Sequence, residues 1–169
     1  MLKIEQKVKF DGIYRGKVVD NNDPLGRGRI KVEVYPMLVN VEKDALPWAV
    51  PAFPLWTGAG ENGGSLYGFY AIPEAGSFVF VFFEAGDVYQ PVYFAEAVDR
   101  VHGAPNDGDV SCRGFRTKAG IELWVRDSDK VIRIGHPSGT YIQVNEDGVV
   151  MIYSAKNIVI EGEEVHINP

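Results

Sequence analysis

Ile132-Arg133-Ile134, Ile142-Gln143-Val144, Val150-Met151-Ile152, Ile158-Val159-Ile160 and Val165-His166-Ile167 recur down the last third of the chain, their starts 10, 8, 8 and 7 residues apart. Successive residues of a strand point to opposite faces, so each triplet sets two apolar side chains on one side of an extended backbone. Turn formers separate the units: Pro137-Ser138-Gly139, Glu146-Asp147-Gly148 and Ser154-Ala155-Lys156-Asn157. No unit is long enough to fold back and bury its own apolar face. The pattern predicts a rod stacked from short strand units and shared between chains. Its period is degenerate, which marks a β-solenoid-like signal rather than a strict repeat, and Phe115 to Val125 begins it.

Working outward, the composition agrees with an all-β chain. Among 169 residues there are 19 glycines and 10 prolines, with abundant Val, Ile, Phe and Tyr. The net charge of −6 argues against nucleic acid or anionic lipid as the main ligand. A single cysteine, Cys112, excludes an internal disulfide framework. Met1 to Glu5 opens no apolar run suited to a signal peptide, and no uncharged stretch reaches membrane-spanning length.

The first hundred residues read as strands joined by glycine-rich turns. Ile13 to Val19 and Ile30 to Tyr35 are strand candidates, the second alternating Ile30, Val32 and Val34 with Lys31 and Glu33. Asn21 to Gly28 joins them as a turn; the lysine and helix of a phosphate-binding loop are missing. Trp48 to Pro54 is a proline-broken extended segment suited to an edge or a wrapped connection. Gly58 to Gly68 holds five glycines and reads as a long loop. Phe78-Val79-Phe80-Val81-Phe82-Phe83 is the strongest strand, expected to be buried on both faces. Gln90 to Ala95 supplies a fifth strand. Five strands in about 90 residues fit a small closed barrel, for which an OB-fold is the natural candidate. The expected layout is an N-terminal arm over 1–12, a barrel over 13–100, a linker over 101–112 and a strand-repeat region over 113–169.

Together these segments resemble a known family. Arg15-Gly16-Lys17-Val18-Val19-Asp20, Gly28-Arg29-Ile30-Lys31-Val32 and Trp48-Ala49-Val50-Pro51 are similar to the opening of the OB-fold domain in baseplate central-spike proteins of contractile-tailed phages. Pro73-Glu74-Ala75-Gly76-Ser77 through Phe83-Glu84-Ala85-Gly86-Asp87, followed by Gln90-Pro91-Val92, resembles that family's signature strands. The VgrG spikes of type VI secretion share the plan. Thr117-Lys118-Ala119-Gly120-Ile121-Glu122-Leu123 resembles the entry into the family's needle, and Ser138 to Ile142 and Asn157 to Ile160 resemble its later turns.

The resemblance implies an all-β homotrimer, with an N-terminal five-stranded OB-fold barrel followed by a C-terminal intertwined trimeric β-helix. It implies a virion location in the tail baseplate, with the barrels docked to the hub protein at the end of the tail tube. The needle would meet the host envelope when the sheath contracts. The needle core would be Ile132, Ile134, Ile142, Val144, Val150, Ile152, Ile158, Ile160, Val165 and Ile167, and Trp48, Phe53 and Trp56 are the candidates for hub or protomer contacts. Some relatives carry a lysozyme domain between barrel and needle, for which Ala97 to Cys112 leaves no room. Some end in a paired-histidine metal tip; here Val165-His166-Ile167-Asn168-Pro169 has one histidine. No metal or other cofactor is therefore expected, and a separate tip-capping protein is an alternative finish.

Catalytic chemistry finds little support. His102, His136 and His166 are scattered, and the neighbours Asp127/Asp129, Glu146/Asp147 and Glu163/Glu164 fall where turns favour such residues anyway. Ser111-Cys112 and Ser138-Gly139 lack the surroundings of a nucleophile elbow. No enzymatic activity is expected. The rival reading is an OB-fold module binding carbohydrate or nucleic acid on Trp48, Phe53, Trp56, Tyr67, Phe69 and Tyr70. Against nucleic acid, residues 1–103 hold ten Lys/Arg and thirteen Asp/Glu.

Overall fold

The computed structural model describes residues 9–57, 67–98, 103 and 108–166. The chain divides into two compact units, Met1–His102 and Gly103–Pro169.

In the first unit, β1 (Tyr14–Asp20), β2 (Ile30–Val34), β3 (Trp48–Pro51), β6 (Phe78–Phe83) and β7 (Pro91–Glu96) close into a barrel of order β1-β2-β3-β7-β6. All neighbours are antiparallel except β3 and β7, which run parallel, and β6 returns to pair with β1. This five-stranded closure is consistent with an OB-fold. A hairpin of β4 (Leu55–Thr57) and β5 (Tyr67–Phe69) stands in the connection from β3 to β6. Gly68 thus belongs to a strand, while residues 58–66 of the glycine-rich stretch lie outside the described residues.

Alternation decides what fills the barrel. Val18, Ile30, Val32, Val34, Ala49, Val79, Val81, Phe83 and Tyr93 point inward and form the core. Ile30, Val18, Val34, Val79 and Val81 are fully buried, each such side chain worth about 1.5–3 kcal/mol. At Gly16 the wall of the barrel comes close. A Cβ there would sit 2.4 Å from Val32 Cγ1 and 3.0 Å from the Glu33 carbonyl oxygen, so β1 and β2 close over a missing side chain. Phe10 caps the core, its ring tilted against Phe83 at 5.9 Å while its amide donates to the Gly86 carbonyl at 3.1 Å.

Two expectations are corrected here. Strand β6 is not buried on both faces: Val79, Val81 and Phe83 are interior, whereas Phe78, Phe80 and Phe82 are half-buried on the outer wall. Phe94 lies against Phe80 and Phe82 at 6.1 and 6.2 Å, and the Arg15 guanidinium covers Phe80 at 5.4 Å. The aromatic run reads as doubly buried because phenylalanines cover one another on the outside. Nor is Trp48 to Pro54 an edge segment. Its first four residues form β3 inside the closed sheet, with Ala49 in the core and Pro51 ending the strand.

The second unit is one antiparallel meander of β8 (Cys112–Arg116), β9 (Glu122–Arg126), β10 (Val131–Gly135), β11 (Tyr141–Val144) and β12 (Val150–Tyr153). Tight turns close it, through Thr117 N–H to Ile121 O (2.8 Å), His136 N–H to Thr140 O (2.9 Å) and Asn145 N–H to Val149 O (3.1 Å). The sequence pattern predicts a rod of short strand units shared between chains; from Cys112 to Tyr153 the structure pairs the strands of one chain with one another. Short hairpins suffice to satisfy the backbone. They do not suffice to bury side chains: among the described residues of this unit Gly135 alone is buried.

Candidate assembly surface

The register of the meander sorts its side chains into two faces. Phe115 is opposite Leu123, Leu123 opposite Ile134, Ile134 opposite Ile142, and Ile142 opposite Ile152. Two residues along, Val125, Ile132, Val144 and Val150 form a second row on the same side, begun by Arg113. Nine apolar side chains therefore share one face in two parallel rows. Val125 and Val144 are half-buried and the other seven are between 41 and 64% exposed. Such a continuous uncovered apolar sheet face violates the two-layer rule for stable domains and marks an interaction surface.

The opposite face is polar and aromatic, and pairs much of itself, although Arg126 Nε and Arg133 Nε are buried without a hydrogen bond. The Arg133 guanidinium lies over Tyr141 at 4.2 Å and donates to Gln143 Oε1 at 3.2 Å; Tyr141 stacks on Tyr153 at 5.3 Å. Arg126 covers Trp124 at 4.8 Å, and Arg116 pairs with Glu122 at 2.8 Å. Hydrogen bonds from Trp124 and Arg116 hold the Glu122 carboxyl below its ordinary value. Gly114 makes room for Trp124, since a Cβ at that position would come within 2.5 Å of the Trp124 Cβ. Amphipathic, paired and charged, this is the side that water can wet.

The residues expected in the needle core separate into two groups. Ile132, Ile134, Ile142, Val144, Val150 and Ile152 are gathered on the apolar face. Ile158, Ile160 and Val165 follow β12 outside any strand and are about half or more exposed, and Ile167 lies outside the described residues. Sequence reading missed Phe115, Leu123 and Val125. Their signal is the alternation of Glu122-Leu123-Trp124-Val125-Arg126, hidden by Trp124, which is apolar yet belongs to the other face.

Of the barrel candidates, Trp48 is covered by Arg29 and Lys31 at 5.3 and 5.1 Å from its ring centroid. Lys31 is itself buried, its Nζ donating to the Lys43 and Asp44 carbonyls at 2.9 and 3.1 Å. Phe53 packs edge-on against Tyr93 at 6.4 Å. Trp56 falls in β4, opposite Gly68. Among the described residues of the barrel unit, the most exposed aromatics are others: Tyr67, Phe69, Tyr70 and Tyr89, at 65, 70, 67 and 74%.

Polar clasps hold the loop between β1 and β2. The Arg29 guanidinium grips Asp23 at 2.6 Å, and the amides of Leu25, Arg27 and Arg29 donate to the same carboxylate. The Arg29 bond, then those amides, hold the Asp23 carboxyl far below the usual carboxylate range against the opposing effect of burial. The Tyr93 hydroxyl donates to the Gly28 carbonyl at 2.6 Å, and burial pushes the phenol up to about 12.

Candidate reactive groups sit in structural settings. His136 Nδ1 and Ser138 Oγ, 2.8 Å apart, belong to an exposed turn, and His166 lies 2.9 Å from Glu164, also exposed. His102 is outside the described residues. Asp127, Asp129 and Glu146 each pair with a cation, Arg113, Arg126 and Lys130 respectively. Among the described residues no three His, Cys, Asp or Glu side chains are grouped as a metal site would require.

Residues 14–96, from the first residue of β1 to the last of β7, match the family model of the type VI secretion system/phage-baseplate injector OB domain. No curated protein matches the chain. The barrel is thus similar to the OB domain of a structural baseplate family, a likeness that suggests a structural role in a phage or type VI baseplate.

Proposed function

We propose that the chain is the central spike of a contractile injection machine, most simply a phage tail baseplate. It is a non-enzymatic homotrimer whose barrels dock to the tail hub and whose C-terminal units form a needle. Sheath contraction drives that needle through the host's outer envelope. The observation that carries this reading is the uncovered apolar face of β8 to β12. A face only two side chains wide is a poor half of a sandwich, but three such faces can close around one axis and leave their polar sides to water. Downstream, residues 154–166 continue toward the tip, where an intertwined β-helix of three chains gives stiffness and a separate protein can cap the end. A needle works by rigidity, which needs burial and backbone pairing rather than a reactive group.

The support is twofold: the barrel resembles an injector OB domain, and the second unit carries a surface that one chain leaves open. With about 1.5–3 kcal/mol for each well-buried Ile or Val, six or more such positions per chain offset the ordering of an assembly. The second reading, a carbohydrate-binding OB module, draws on the exposed Tyr67, Phe69 and Tyr70. Native mass spectrometry of the full chain separates the two. A trimer is expected for the spike, and a monomer that binds polysaccharide favours the module.

A further inference from the structure

The strands of the meander run back and forth, so its connections fall on two flanks. One flank carries the turns 117–121 and 136–140 and the residues that follow β12, 154–157. The other carries the turns 127–130 and 145–149. Asp109 to Ser111 lie beside these, through the bond from Asp127 N–H to Ser111 O at 3.0 Å. The first flank holds Lys118, Lys156 and His136 and no carboxylate. The second holds Asp109, Asp127, Asp129, Glu146 and Asp147 with one lysine, Lys130.

Pairing within the chain reduces this difference without removing it. Arg113 pairs with Asp127, Arg126 reaches Asp109 at 3.5 Å and Asp129 at 3.4 Å, and Lys130 lies 3.6 Å from Glu146. With both arginines counted, five carboxylates meet three cations, and the flank stays acidic. At the lysine flank Arg116 and Glu122 cancel one another at 2.8 Å. Lys118, Lys156, Glu146 and Asp147 are all exposed. Each flank also borders the open apolar face: the row from Phe115 to Ile152 runs beside the lysines, and the row from Val125 to Val150 beside the acids.

A second copy turned about an axis along the rows, with its strands stacked in the same direction, brings its acidic flank to the lysine flank of the first. A copy stacked in the opposite direction sets acidic turns against acidic turns, and like charges facing across an interface oppose it. The turns alternate between flanks, so each lysine stands about 4.8 Å, one strand spacing, from the level of an acidic turn: Lys118 from 127–130, Lys156 from 145–149. We propose that the two flanks form a charge seam between copies, in which Lys118 faces the 127–130 turn of the next copy and Lys156 its Glu146 and Asp147. This rests on the trimeric reading above and adds what selects the direction of the copies. Apolar rows attract in either direction; the charges choose between them. Each copy gives one flank and takes the other, a heterologous contact of the kind that closes a ring.

The test uses two variants of the full-length chain. Lys156→Glu makes its flank acidic, and Glu146→Lys combined with Asp147→Lys makes the facing turn basic. Each variant alone is expected to need about tenfold or more protein to refold into trimers in low salt; about 1 M salt, where the screening length is ~3 Å, is expected to remove that difference. Refolded together from denaturant in equal amounts, the two are expected to recover wild-type assembly. Native mass spectrometry should then show trimers containing both chains in excess of random proportions. Variants that assemble as the wild type does and mix at random overturn the seam and leave the trimer standing. A loss that mixing does not recover has the same meaning, because a seam between copies must be repaired by the complementary variant. A wild-type chain that stays monomeric overturns both the seam and the trimer.

Discussion

Ile134 and Ile142 stand directly opposite each other in the β10–β11 ladder, and each leaves nearly half its surface, 48 and 47%, open. A paired backbone beneath uncovered isoleucines is the signature of a sheet made to be packed on. Ile142→Asp or Ile152→Asp is expected to abolish trimer formation, because each copy would carry an unpaired carboxylate into a shared apolar core, at a cost of several kcal/mol. Gln143→Glu, on the opposite face beside Arg133, is the control and is expected to leave assembly intact. Native mass spectrometry reads both, and normal assembly of the aspartate variants would show that the inward face is assigned wrongly.

The barrel has its own tight point at Gly16. Gly16→Ala forces a methyl group against Val32 and the Glu33 carbonyl, and is expected to destabilise the protein by about 1–3 kcal/mol. The check is a lowered urea midpoint for the transition that reports on the barrel, followed through its aromatic signals. An unchanged midpoint would mean the wall relaxes freely.

Tyr93→Phe keeps the ring against Phe53 and removes the hydroxyl that satisfies the Gly28 carbonyl. The expected loss is roughly 1–2 kcal/mol, that of one buried hydrogen bond with its acceptor left unpaired. Full retention of stability would show that water replaces the hydroxyl.

Asp23 predicts an acid limb. Its carboxyl is depressed in the folded protein, so the stabilisation is fully present above the unfolded value of 3.8 and is lost as pH falls through the lower folded value. Denaturant midpoints measured from neutral pH downward are expected to decline below about pH 4. In Asp23→Asn they should start lower and decline less steeply. Parallel curves for the two proteins would remove Asp23 from the acid response.

Much of this architecture is legible in the residues themselves. Strand β2 follows from the alternation of Ile30, Val32 and Val34 with Lys31 and Glu33, and β1, β6 and β7 from β-prone segments bounded by turn residues. Strand β3 is obscured by Pro51 and by Pro54 just beyond it, though a closed sheet tolerates Pro51 because it ends the strand. The two-sided reading of Phe78 to Phe83 fails because phenylalanines can cover one another on an outer wall, which no single-strand pattern reveals. In the second unit, six of the ten expected core residues share a face because their spacing is set by tight hairpins that keep register. The triplet rule cannot show that those hairpins close within one chain, nor that Leu123, Val125 and Phe115 join the face. Trp48 and Phe53, singled out as large aromatics, turn out to be engaged by Arg29, Lys31 and Tyr93, since ring size alone does not distinguish a packed aromatic from an offered one.

The central claim is that the open face of β8 to β12 is covered by two further copies of the same chain. The most direct measurement is the absolute mass of the full-length protein by light scattering during chromatography, at micromolar concentration and below. Three chain masses, unchanged on dilution, are predicted; a stable species of one chain mass would contradict it.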